Sequence, residues 1–177
     1  MNELLNRILR AAKLDVGLYE EVEADPGTLG QAMTVVVLSS IAAGIGTIEK
    51  TGLAGIVLGT ITALVGWYVW AYLTYFIGTK LLPEPHTQAD HKELLRTIGF
   101  SSAPGLIRVV GIIPGLTGVV FFVAAVWMLV AMVIAVRQAL DYQSTLRAVG
   151  VCLIGWIVQA VIILLLFSIF GLVPQTG

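Results

Sequence analysis

The sequence predicts an all-α, polytopic membrane protein, with five transmembrane helices preceded by an N-terminal amphipathic interfacial helix. Three observations predict this class. Hydrophobic residues fill 58% of the 177 positions and charged residues only 12%, against about 25% charged in a soluble domain. Mean hydropathy is +0.94. The charges gather in short clusters, leaving apolar runs that each meet the requirement of about 20 residues for a helix crossing a bilayer.

Residues 1–28 are expected on the cytoplasmic side and residues 29–177 in the membrane. In residues 2–13 (NELLNRILRAAK), Leu4, Leu5, Ile8, Leu9 and Ala12 share one helical face. Glu3, Asn6, Arg7, Arg10 and Lys13 share the other, the pattern of a helix in the headgroup layer with its basic side toward anionic lipid. Docking on a partner, or on the protein's own cytosolic face, is the plainer alternative. The following acidic segment, LYEEVEADPGTLG, ends in Asp25-Pro26, a helix start in which Asp caps and proline takes the first turn.

The spans are expected at about 29–48, 53–82, 94–113, 116–136 and 149–173. Eight of the ten Lys and Arg residues fall on the cytoplasmic side if the N-terminus is cytoplasmic, which sends the C-terminus outside. Along the second span Gly52, Gly55, Gly59, Ala63 and Gly66 form a seam of small residues, the kind that lets a second helix approach closely. That helix is by default intramolecular; a second copy is the other choice. The aromatic residues Trp67, Tyr68, Trp70, Tyr72, Tyr75 and Phe76 crowd the inner half of this span as packing and anchoring groups.

The third span carries the unusual chemistry. Pro104 cannot donate a backbone hydrogen bond, so a kink is expected at Ser101–Gly105. Arg108 lies about 18 Å along a helix from Arg96, toward the outer face. Snorkelling to the outer headgroups is its plain role. Its functional one is contact with a lipid or anion, together with Ser101 and Ser102, because guanidinium matches phosphate and carboxylate with paired bonds.

Asp25, Arg137, Asp141 and Arg147 are expected to form a cytoplasmic ion-pair cluster, with Arg137 and Asp141 one helical turn apart. Asp90 with Glu93 reads as a helix start, and His86, Asp90 and His91 lack a familiar zinc spacing. Gln159 is placed to bond across helices, and the single cysteine, Cys152, excludes an internal disulfide. No catalytic, metal or cofactor set is expected, and no basic block fits nucleic acid.

Four stretches carry a family likeness: LYEEVEADP at 18–26, LRTIGFSSAP at 95–104, Trp127, and AVRQALDYQSTLRAV at 135–149. In this order they resemble the Yip family of five-span, Ypt-interacting membrane proteins, in its prokaryotic form. The resemblance implies membrane traffic and binding of prenylated small GTPases for eukaryotic members, whose DLYGP-like segment is not seen here. It carries over no functional residue. The expected role is a non-enzymatic adaptor, scaffold or membrane-organising component in the prokaryotic cell (inner) membrane. Its expected partners are lipids and another membrane protein or a second copy. The alternative is a lipid or small-solute carrier using the broken third span and Arg108.

Overall fold

The computed structural model describes residues 2–169, and its described residues are helical, with no strand among them. Seven α-helices follow one another among the described residues: α1 (Asn2–Ala12), α2 (Val16–Ala24), α3 (Leu29–Gly46), α4 (Ile48–Phe76), α5 (His91–Phe100), α6 (Thr117–Ala139) and α7 (Thr145–Ile169). Among the described residues four stretches are long and apolar enough to cross a membrane: Pro26–Gly46, Ile48–Leu81, Thr117–Ala139 and Thr145–Ile162. The last residues of the fifth expected span, 170–173, and the C-terminus lie outside the described residues.

The third expected span is not one helix. Asp90 starts α5 with a reciprocal capping box: its carboxylate accepts from the Glu93 amide, and the Glu93 side chain accepts from the Asp90 amide. The helix stops at Phe100, ahead of Pro104, and the chain tightens into a 3-10 helix over Ala103–Ile112. At about 1.5 Å per α residue and 2.0 Å per 3-10 residue, the two pieces reach roughly 35 Å, matching α6. They also connect the same two ends of the bundle as α6 does. At one end the Thr47 and Pro114 turns lie together; at the other, Tyr142 of the α6–α7 turn donates to the carbonyls of Gly78 and Leu82.

Packing is uneven along that axis. Every residue from Leu94 to Phe100 is buried, so α5 is a central rod. On one side it meets Trp70, Ile77, Val136, Leu140 and Val151. On another, Phe100 belongs with Ile8, Leu18, Tyr19, Val22 and Val35. The opposite half of α4 turns Leu53, Val57, Leu58 and Ile61 outward, each more than half exposed. These apolar side chains suit contact with lipid rather than water. In the described structure, α4 begins with a break at Gly52, whose φ of 62° and ψ of −172° only glycine adopts freely. Gly52 is therefore a bend, not a member of the packing seam.

The N-terminal helix is present, but its basic side meets the protein itself. Arg7 is buried among Glu3 and Glu21 at 2.9 Å, Asp25 at 3.5 Å and the Gln31 side chain at 2.9 Å. Arg10 joins Asp15 and Glu21. These pairs hold the carboxyls of Asp15 and Glu21 below the ordinary range, with the Arg10 hydrogen bond the leading cause in each. Trp127 on α6 donates 2.8 Å to the carbonyl of Ala12, fastening the end of α1. The physical reason for the difference is proximity: α2 supplies carboxylates at bonding distance, which a lipid surface must recruit. Leu5 and Leu9 stay exposed on the outer edge of α1.

Candidate functional site

The expected cytoplasmic ion-pair cluster of Asp25, Arg137, Asp141 and Arg147 separates into unrelated contacts. Asp25 caps the Pro26–Thr28 turn through the Gly27 amide and faces Arg7. Arg147 pairs with Glu84 at 3.5 Å and donates to the Pro83 carbonyl. Arg137 donates to the carbonyls of Tyr142 and Gln143, not to Asp141. The one-turn spacing fails because α6 ends at Ala139 and Asp141 takes φ 53°, reversing the chain. Glu84 is the organiser that sequence reasoning missed: its carboxylate also receives the amides of Gln143 and Ser144. Its partners lie about 60 positions away, so no local spacing marks it.

Between these contacts lies a cleft of about 560 Å³ at the α6–α7 end, bearing Glu20, Glu23, Glu93 and Asp141, with Arg137 and Gln138. Glu23 is raised to about 7, first by burial and then by Asp141 and Glu93, with Arg96 opposing. Arg96 is itself engaged with the Val22 and Glu23 carbonyls, at the C-terminal end of α2. The cleft thus crowds four carboxyl groups beside the single guanidinium of Arg137 on its described lining. Burial also pushes the nearby Tyr142 hydroxyl up to about 12, keeping it a neutral donor to its two carbonyls.

A second region surrounds Arg108. Its side chain does not snorkel outward. Nε donates back to the Gly105 carbonyl at 3.2 Å, and Nη2 reaches Ser39 Oγ at 3.1 Å and Met128 Sδ at 2.9 Å. The Phe121 ring lies 5.9 Å from the guanidinium carbon. These local acceptors hold the head inside the bundle, where a proline-broken segment leaves Gly105 without side-chain bulk. A Cβ on Gly105 would collide with Ser39, Arg108 and Met128 together.

Arg108 stands where two clefts meet. One, of about 410 Å³, runs between α3 and α4 and offers the hydroxyls of Ser39, Ser40, Thr47, Thr51 and Ser102. The other, of about 470 Å³, is apolar: Phe121, Ala125, Met128, Leu129, Met132 and Trp156. Ser102 lines the hydroxyl-bearing cleft; Ser101 lines neither cleft and reaches the second only through Met132 Sδ at 3.8 Å. Ser101 is buried and donates to the Ile98 carbonyl at 2.7 Å. Pro104 is buried beside Gly105 at the break.

The small-residue seam also takes a different role. Gly55, Gly59 and Ala63 line the hydroxyl-bearing cleft. A Cβ on Gly59 or Gly66 would meet nothing within 4 Å, so no helix packs closely against those positions among the described residues. Close approach occurs instead between Gly44 of α3 and Ile56 of α4, supported by a 3.0 Å bond from Ser40 to Thr60.

The remaining sequence candidates serve structure. Tyr68 and Tyr72 meet the His91 ring edge-on, and Trp67 donates to the Leu95 carbonyl. No group of three His, Cys, Asp or Glu among the described residues is placed to hold a metal ion. A family model described as "Yip1 domain" matches residues 18–173. No curated protein and no solved structure matches the chain.

Proposed function

The chain belongs to the Yip1 domain family, and from that premise we propose that it is a non-enzymatic, five-span adaptor or scaffold of the prokaryotic cell membrane. Members of the family are membrane proteins that interact with other proteins and lipids. The five-span reading is supported by the reach of α5 with its 3-10 continuation, which equals that of α6. The Lys/Arg bias supports a cytoplasmic N-terminus and an external C-terminus. Leu5 and Leu9 then anchor α1 in the lipid beside the bundle.

The observation that carries the adaptor reading is the acidic cleft at the α6–α7 end. Four carboxyl groups share it, Glu23 is destabilised as an anion there, and Arg137 on the same wall bonds to the Tyr142 and Gln143 carbonyls rather than to a carboxylate. A basic segment of a membrane-associated partner would relieve that repulsion. The orientation puts this cleft on the cytoplasmic side.

Solubilisation in mild detergent, followed by mass spectrometry of what co-purifies, tests the reading. Wild type is expected to retain a companion whose cytoplasmic part is basic. Neutralising the cleft with Glu23→Gln and Asp141→Asn is expected to release it at lower salt. Repeated recovery of a lone protein overturns the proposal.

A further inference from the structure

We propose that Arg108 is the headgroup anchor of a binding site for one anionic phospholipid, seated in the bundle side near the Pro114 turn. The inference does not depend on the adaptor reading, which concerns the other end of the molecule.

The guanidinium is held in an apolar part of the bundle by Gly105, Ser39 and Met128, and none of these is an anion. No carboxylate lies within ion-pair distance of it among the described residues. A cation at that depth is costly unless a counter-charge reaches it. The three hydrogen bonds use Nε and Nη2, leaving the Nη1 hydrogens without a partner among the described residues. Phosphate and carboxylate both accept charge-assisted bonds from a guanidinium, and the two Nη1 hydrogens remain to give them here.

The two clefts supply the rest of the recognition. On one side of Arg108 the hydroxyls of Ser39 and Ser102 offer further donors to phosphate oxygens, while that of Ser40 is already given to Val37 and Thr60. On the other, Ala125, Leu129 and Trp156 make an apolar wall suited to an acyl chain. A cation at the join of a hydroxyl-lined cleft and an oily one has the polarity of a phospholipid in reverse. A free phosphate fills only the first cleft, and an uncharged lipid leaves the guanidinium uncompensated. The occupant that fits is a phosphodiester with acyl chains and net negative charge, whose ester oxygens add acceptors for the serine hydroxyls that a fatty-acid carboxylate lacks.

Native mass spectrometry of the full chain in detergent tests this, with phosphatidylglycerol, phosphatidylcholine and inorganic phosphate as separate probes. Wild type is expected to retain phosphatidylglycerol at least about ten-fold more tightly than phosphatidylcholine, with millimolar phosphate unable to displace it. Arg108→Gln is expected to remove most of that preference, and Arg108→Lys to keep more of it than Arg108→Gln. Ala125→Leu fills the apolar cleft from an exposed position without altering charge, so it tests the seat even if the arginine variants fold poorly. It is expected to weaken phosphatidylglycerol retention at least about five-fold. Equal retention by wild type and Ala125→Leu overturns the proposal. So does a folded Arg108→Gln that keeps the full preference, or displacement of the lipid by inorganic phosphate.

Discussion

Arg96 Nε lies 2.9 Å from the carbonyl of Val22, 74 positions earlier in the chain. With Nη2 on the Glu23 carbonyl, one buried guanidinium closes the C-terminal end of α2 and ties the N-terminal segment to the central rod. Helix C-termini leave carbonyls unpaired and carry partial negative charge, so a cation there is doubly suited. Arg96→Met is expected to lower stability by about 1–3 kcal/mol, since it strands the Glu23 carbonyl while the Val22 carbonyl keeps the Thr28 hydroxyl at 3.0 Å. Limited proteolysis checks it: cleavage within residues 2–28 should rise well before the bundle unfolds. Unchanged protection there would show that α2 is held by packing alone.

Trp127 makes a smaller contribution of the same kind. Trp127→Phe keeps most of the ring's packing and deletes the bond to Ala12, for an expected loss of about 1 kcal/mol. Thermal unfolding in detergent reads this loss, and hydrogen exchange of α1 should accelerate with it.

Gly105→Ala probes the ground beneath Arg108. The added methyl collides with Ser39, the guanidinium and Met128, none of which can yield without breaking a bond to another. An expected cost of about 1–3 kcal/mol follows. Ala103→Gly, a neighbouring change that adds no bulk, should leave the Arg108 contacts in place. Similar spectroscopic and binding behaviour of Gly105→Ala and wild type would show that the cluster relaxes freely.

The acidic cleft gives stability a pH dependence with a definable sign. The folded protein holds a proton on Glu23 up to about pH 7, while the unfolded chain releases it near 4.5. That contribution is present in full below pH 4.5 and is lost as pH rises through about 7. Partial exposure of Glu23 screens the effect. Glu23→Gln is expected to match wild type near pH 5 and to melt higher at pH 8. Asp15 and Glu21 act in the opposite sense: their ion pairs stabilise at neutral pH and fail as pH falls through their depressed values. Acid should therefore loosen α1 first, visible as exchange at residues 2–24. Parallel melting curves for wild type and Glu23→Gln across pH 5–8 would contradict this account.

Much of the architecture is legible in the chain because bilayer solvation acts on composition and length. Apolar runs longer than a soluble core requires, the capping pair Asp90 and Glu93, and the break ahead of Pro104 are local properties that no distant contact reverses. The membership in the Yip1 family reads from short ordered motifs in the same way. Charge placement was less legible. Arg7 and Arg10 on an amphipathic helix suit a lipid surface, and only the folded chain brings Glu21 and Asp15 to bonding distance. Arg137 and Asp141 sit at a helical spacing, yet the helix ends between them.

By itself, the sequence determined that this is a membrane protein of apolar helices, where the third run must break, and that Asp90 and Glu93 cap its first piece. Periodicity, backbone chemistry and hydrocarbon solvation act over a few residues and need no partner. Only the tertiary structure decided that Arg96 closes α2, that Gly59 and Gly66 face open space, and that Arg108 turns inward between Ser39 and Met128. Those outcomes depend on which of several chemically acceptable partners lies within about 3 Å, and hydrogen bonds and ion pairs fall away steeply beyond that reach.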